Sequence, residues 1–211
     1  MDNRISGLYA VTPELADTDV LLEKVDAALR GGTRVVQYRS KSSDDVLRRR
    51  QASAIAGLCR RRQALFIVND SARLARETAA DGVHLGRDDG TVAQARKTLG
   101  VGTIIGVSCY NEIGLARTAA AQGADYIAFG SFFSSGTKPA AVRADTQLLR
   151  AAAVDIALPV VAIGGINLDN AAGLIAAGAD AVAVVGALFD AQDVETQARR
   201  FVELFQTSVH S

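Results

Sequence analysis

Short apolar runs recur along this chain, separated by stretches with helical periodicity, and nearly every run ends in a small polar cluster. Gln37, Arg39 and Lys41 follow one run, and Asn69 with Asp70 another. Asp88-Asp89 come soon after a third, Ser108 follows a fourth, Ser134 to Lys138 a fifth, and Gly164-Gly165 a sixth. The runs cover Gly7 to Val11, Val35-Val36, Leu65 to Val68, Val83 to Leu85, Thr103 to Val107, Tyr126 to Phe129, Val160 to Ile163 and Ala181 to Val185. Between and after them, helical patterns cover Val20 to Leu29, Asp44 to Arg62, Ala72 to Thr78, Thr91 to Leu99, Glu112 to Gln122, Thr146 to Val154, Leu168 to Ala177 and Val194 to Phe205. Strand and helix in alternation point to a parallel sheet, and strands that are apolar throughout point to a sheet covered on both faces.

The expected fold is therefore α/β, a single (β/α)8 TIM barrel over residues 1–211, near the short end for that architecture. An open doubly wound sheet is the alternative, but Thr12-Pro13 stands where that fold carries its glycine fingerprint. Three related joints, Ala80-Asp81-Gly82, Gly123-Ala124-Asp125 and Gly178-Ala179-Asp180, each lead from a helix into a strand. Glycine can end such helices and aspartate can turn the chain. Polar groups at the C-terminal ends of barrel strands are where such folds assemble one site from distant segments.

Charge and cysteine content exclude several classes. Lys plus Arg is 23 and Asp plus Glu is 23, so there is no broad basic footprint for nucleic acid. Cys59 and Cys109 are too few for a disulfide framework or a structural zinc site, and are expected to be small, partly buried thiols. The chain opens on no signal-peptide pattern and holds no apolar stretch of bilayer length, so a soluble cytoplasmic protein without a membrane partner is expected. His84, inside a strand, is expected to be a satisfied core imidazole, and His210 lies in the tail. No Ser/His/Asp or Cys/His arrangement is visible, which argues against acyl-transfer hydrolysis.

The clusters suggest separate tasks. Asp70 with Asp88 or Asp89 would suit Mg²⁺, which takes one or two carboxylates and completes its shell with water and phosphate. Taken singly, Asp70 also fits a cap for the helix beginning at Ser71, and Asp88-Asp89-Gly90 fits a turn. Gln37, Arg39 and Lys41 alternate onto one side of an extended chain and would grip a diphosphate, or are ordinary surface groups. Ser134 to Lys138 is a small-residue loop with a lysine that can wrap an anion, though not a Walker-type loop. Gly164-Gly165 and Val185-Gly186 follow the seventh and eighth strands, where backbone amides often hold a phosphate in such barrels.

Together the segments QYRSK (37–41), IVND (67–70), DGVHLGRDD (81–89), GVS (106–108), YIAFGSFFSSGTK (126–138) and VVAIGGI (160–166) resemble the thiamine-phosphate synthase family, in the family's order and over most of the chain. The resemblance implies a transferase that joins an aminopyrimidine diphosphate to a thiazole phosphate with Mg²⁺ as cofactor. It implies that Gln37, Tyr38, Arg39, Ser40, Lys41, Asn69, Ser108 and Lys138 bind the pyrimidine diphosphate, with Lys138, Arg39 and Ser108 as the catalytic set. It implies that Asp70 and Asp89 hold the metal, and that Ser135, Gly136, Thr137, Gly164, Gly165, Val185 and Gly186 hold the thiazole phosphate. The chain departs from the family pattern at Ser134-Ser135-Gly136, at Arg87 and at Gly186. A thiazole tautomerase of the same family would need neither the aspartate pair nor the diphosphate cations, and a non-catalytic phosphate-binding barrel is the reading from another class. The oligomeric state stays open, a homo-oligomer included.

Overall fold

A computed structural model describes residues 5–134 and 143–207. The elements in chain order are β1 (Gly7–Val11), α1 (Thr18–Arg30), β2 (Val35–Tyr38), α2 (Asp45–Arg62), β3 (Leu65–Asn69), α3 (Ala72–Glu77), β4 (Gly82–Leu85), α4 (Val92–Leu99), β5 (Ile104–Tyr110), α5 (Ile113–Ala121), β6 (Tyr126–Phe129), α6 (Thr146–Asp155), β7 (Val160–Ile163), α7 (Leu168–Ala176), β8 (Ala181–Val184), α8 (Gly186–Phe189) and α9 (Val194–Thr207). The eight strands form one closed barrel in sequence order, and β8 returns to pair with β1 in parallel. This is the expected (β/α)8 architecture. Short α8 lies outside the expected pattern, and β5 runs on to Tyr110, so Ser108 sits within a strand rather than after one. The β5–β6 register shifts between Ser108 and Tyr110.

Alternation along each strand sorts the core into two layers. Tyr9, Val11, Val35, Ile67, Ile104, Tyr126 and Val161 fill the barrel interior. Their neighbours, such as Leu8, Ala10, Val36, Val68, Ile105 and Ile127, face the helices. Both faces of the sheet are thus dry, which is why the strands read as unbroken apolar runs. Side-chain caps start the helices: Asp17, Asp44 and Asp145 each accept from two backbone N–H groups, and Thr91 and Asn167 form capping boxes. Cys59 and Cys109 are buried among these layers, and burial pushes both thiols up to about 12, so both behave as inert apolar groups.

The three aspartate joints do more than turn the chain. Asp81 Oδ2 accepts from Phe66 N, Asp125 Oδ2 from Ile105 N and Asp180 Oδ2 from Val160 N, each at 2.8 Å. In return, the backbone N–H of each aspartate donates to the carbonyl of the same strand residue. Each joint therefore ties the start of one even-numbered strand to the start of the strand before it, at the barrel end opposite the polar clusters. Asp125→Ala leaves the Ile105 N–H without its acceptor and should cost about 1–3 kcal/mol. Urea denaturation checks this, and an unchanged midpoint would show that the carboxylate adds nothing to the backbone pairing.

Among the described residues no helix is long and apolar enough to cross a membrane.

Candidate active site

The strand pleat decides which sequence-predicted residues reach the mouth of the barrel. Gln37 shares the inward face of Val35 and is 5% exposed, a buried polar group in an otherwise apolar layer. Asn69 shares the inward face of Ile67 at the end of β3 and pairs in register with His84 of β4. Ser108 faces inward from β5, within 2.8 Å of His84 Nε2. Tyr38, one position on from Gln37, is not brought to this site. It is 2% exposed in the layer under α2, where its hydroxyl donates to Gln51 Oε1. Alternation alone puts it on the opposite face of β2.

Beyond β2 the chain is held by the segment after β1. Thr12 Oγ1 accepts from Arg39 N at 2.9 Å and donates to the Arg39 carbonyl. The Glu14 carboxylate accepts from Lys41 N and from the Ser40 hydroxyl at 2.9 Å. The Ser40 side chain is thus engaged by the loop itself. The clamp therefore fixes the backbone that carries Arg39 and Lys41, and among the described residues no side-chain hydrogen bond or ion pair holds their head groups.

Asp70 and Asp89 flank β4. Asp70 adopts the left-handed conformation (φ 66) and its N–H donates to the His84 carbonyl at 2.8 Å. The cap of α3 is Ser71, whose side chain accepts from Leu74 N, so Asp70 does not serve as that cap. Asp89 does close a turn, its Oδ2 accepting from Gly86 N at 2.8 Å. Among the described residues, no group of three or more His, Cys, Asp or Glu side chains could hold a metal unaided. Two carboxylates after adjacent strands still fit Mg²⁺, which takes one or two carboxylates and can complete its shell with water and phosphate.

His84 is buried, as expected, but it is far from idle. Its Nδ1 meets the Tyr126 hydroxyl at 2.9 Å and its Nε2 meets Ser108 Oγ. Burial pulls its pKa down to about 4, partly offset by the nearby Asp89 charge, so the imidazole is neutral near pH 7. The Tyr126 hydroxyl bonds that of Tyr9, which accepts from Gln37 Nε2. The fold therefore sets Ser108 beside His84, a pair that the sequence reading did not single out. The group behind the imidazole is a phenol, however, and not the carboxylate that a hydrolytic triad requires.

At the far side of the mouth, Gly164 (φ 104) and Gly165 (φ 64) take conformations that side chains disfavour. The 131–134 segment lies directly on them: Phe132 N donates to the Ile163 carbonyl and Phe133 N to that of Gly164. A Cβ on either glycine would come within 3.0 Å of Ser131 or Phe133 atoms. The Asn170 amide donates to the Gly165 carbonyl and fixes the turn into α7. Val185 precedes Gly186, the first residue of α8. Ser135, Gly136, Thr137 and Lys138 lie outside the described residues.

Thr12, Glu14, Tyr9 and Tyr126 were not singled out from sequence. The inward parity of the two tyrosines was a signal, since each puts a hydroxyl into a closed apolar barrel, but their meeting across 117 residues depends on barrel closure.

Comparison with known proteins gives concordant results. A family model described as thiamine monophosphate synthase matches residues 8–188. Thiamine-phosphate synthase of Methylobacillus flagellatus is 55% identical over 201 residues, covering 95% of this chain and 96% of that protein. The Thiobacillus denitrificans protein of the same name is 57% identical, covering 94% of each. The solved thiamine phosphate pyrophosphorylase from Pyrococcus furiosus superposes with a TM-score of 0.85 at 32% identity, covering 97% of each chain.

Proposed function

Because the chain belongs to the thiamine monophosphate synthase family, we propose that it joins the diphosphate ester of an amino-hydroxymethylpyrimidine to a phosphoethyl thiazole, or its carboxylated form. The products are thiamine phosphate and diphosphate, and from the carboxylated thiazole the carboxyl group leaves as CO₂. The enzyme is a transferase, as its relatives at 50–57% identity are. What supports the substrate assignment is that a cation pair, Arg39 and Lys41, follows β2 and a carboxylate pair, Asp70 and Asp89, follows β3 and β4, parallel strands that end at the same rim of the barrel. Cations alone would serve any phosphate; carboxylates beside them serve a phosphate that arrives with a divalent metal.

The reaction forms a carbon–nitrogen bond from the thiazole nitrogen to the pyrimidine CH₂ and breaks the carbon–oxygen bond to diphosphate, whose oxygen keeps the electron pair. In the dissociative order that the family resemblance implies, the carbon–oxygen bond breaks first and a pyrimidine cation bridges the two events. Arg39, Lys41 and Lys138 stabilise the charge growing on the leaving group. Gln37, Asn69 and Ser108 orient the pyrimidine, and the turns at Gly164-Gly165 and Val185-Gly186, with Ser135 to Thr137, hold the thiazole phosphate in line, which lowers the entropic part of the barrier. The nucleophile is a ring nitrogen with a free lone pair, so no general base is needed. Mg²⁺, held by Asp70 and Asp89, would supply further neutralisation of the diphosphate charge. The same reading puts the enzyme in the cytoplasm, with small molecules as its partners.

The test is diphosphate release with both substrates, with and without EDTA. Release that EDTA stops and excess Mg²⁺ restores is the expected result. Release indifferent to EDTA would remove the metal, and no release under any condition would sink the synthase reading.

A further inference from the structure

Five side chains from five strands form one unbroken hydrogen-bonded chain across the barrel interior. Gln37 Nε2 meets the Tyr9 hydroxyl at 2.8 Å, and that hydroxyl meets Tyr126 at 2.8 Å. Tyr126 meets His84 Nδ1 at 2.9 Å, and His84 Nε2 meets Ser108 Oγ at 2.8 Å. We propose that this chain is a directional relay in which Tyr9, Tyr126 and His84 are positioning residues that set Ser108 as a hydrogen-bond donor toward the bound ligand. The inference rests on the reading above only in taking Ser108 as a ligand contact.

The direction follows from counting protons. Gln37 meets Tyr9 through its amide nitrogen, so the Tyr9 oxygen accepts. Tyr9 is 1% exposed and its remaining neighbour in the chain is Tyr126, so its own proton goes there; otherwise a buried donor is left unsatisfied. Burial raises the pKa of both phenols, so neither gives up its proton to solvent. Tyr126 then donates to His84 Nδ1. A neutral imidazole that accepts at Nδ1 carries its proton on Nε2, and this donates to Ser108 Oγ. The Ser108 proton is left to point elsewhere, and the open side of this part-exposed residue is the barrel mouth.

Two consequences follow for the chemistry. A serine beside a histidine suggests an activated nucleophile, but a base must turn a bare nitrogen to the serine, and here the bare nitrogen faces Tyr126. Ser108 instead offers a proton to an acceptor, such as a ring nitrogen of the pyrimidine or an oxygen of its diphosphate. Turning the Gln37 amide over would reverse all four bonds and leave Ser108 only lone pairs to offer. The two ends of the relay thus always present opposite hydrogen-bonding character, a match for a ligand edge where a donor adjoins an acceptor.

The experiment is nitrogen NMR of the full chain labelled at histidine, without ligand. Only two histidines, His84 and His210, contribute ring signals, and His210→Ala assigns them. The expected result is an Nε2-protonated His84 with an imine-type Nδ1; a proton on Nδ1 would overturn the relay. Tyr126→Phe should then move the Nδ1 signal toward that of an unbonded imine and raise KM for the pyrimidine diphosphate about tenfold, with kcat changing less. A lower melting temperature with an unchanged KM would also overturn it, since the residue would then be structural only. If the wild-type chain releases no diphosphate, the synthase reading fails while the tautomer measurement still decides the direction.

Discussion

Asp89→Asn should lower turnover by about two to three orders of magnitude while the barrel stays folded. The substitution is clean because of what Asp89 already does. One of its oxygens accepts from Gly86 N, and an asparagine carbonyl can accept the same bond, so the turn after β4 survives. What disappears is the negative charge that would share Mg²⁺ with Asp70. Removing one preorganised electrostatic partner of a charge-separating step commonly costs about 3–4 kcal/mol, which corresponds to that loss in rate. The measurement is steady-state diphosphate release across a Mg²⁺ titration, with thermal unfolding as the control. Partial recovery at high Mg²⁺ would strengthen the assignment. Wild-type turnover at every Mg²⁺ concentration would remove Asp89 from the metal site.

Gly106→Ala should cost about 3 kcal/mol or more in stability, because it drives a methyl group into a ring that is held in place. Gly106 of β5 pairs in register with Tyr126 of β6. A Cβ at 106 would come within 3.0 Å of Tyr126 Cζ, Cε1 and Oη. The ring cannot step aside cheaply, because it is fully buried and its hydroxyl is held by both Tyr9 and His84. Relief requires breaking those bonds or spreading two paired strands. Chemical denaturation of the single variant and of Gly106→Ala with Tyr126→Ala forms the test. The double variant should recover part of the lost stability relative to the sum of its singles, a coupling that marks direct contact. A single variant as stable as the parent would show that the barrel interior is looser than its packing implies.

These two residues mark the boundary of what the sequence discloses. The aspartates could be found because they follow apolar runs, and in a parallel barrel every run ends at the same rim. The positions of Gln37, Asn69 and Ser108 were legible for the same reason. Gly106 was visible only as a letter within GVS, since its reason is a tyrosine across a strand pairing. Tyr38 shows the opposite error. The resemblance takes QYRSK as one block, but the two-residue alternation of β2 sends Gln37 into the barrel and Tyr38 under α2. His84 was read from its own strand as a core group. Its partners come from β5 and β6, and barrel stagger, which no local pattern encodes, brings them to it. Thr12 and Glu14 escaped notice because they hold backbone groups of Arg39 and Lys41, and backbone partners leave no trace in a sequence.

The aspartate stitches at the closed end divide the molecule in a way the smooth barrel hides. They join β3 to β4, β5 to β6 and β7 to β8, never β4 to β5 or β6 to β7. The first pair, β1 and β2, carries Arg34 at the equivalent joint and has no carboxylate to make the stitch. The ring is therefore a tetramer of strand pairs written into one polypeptide, with three quarters individually fastened and one left to be secured by its neighbours. Loops at the opposite rim can then diverge in sequence without disturbing the fasteners, since no stitch shares a residue with that rim.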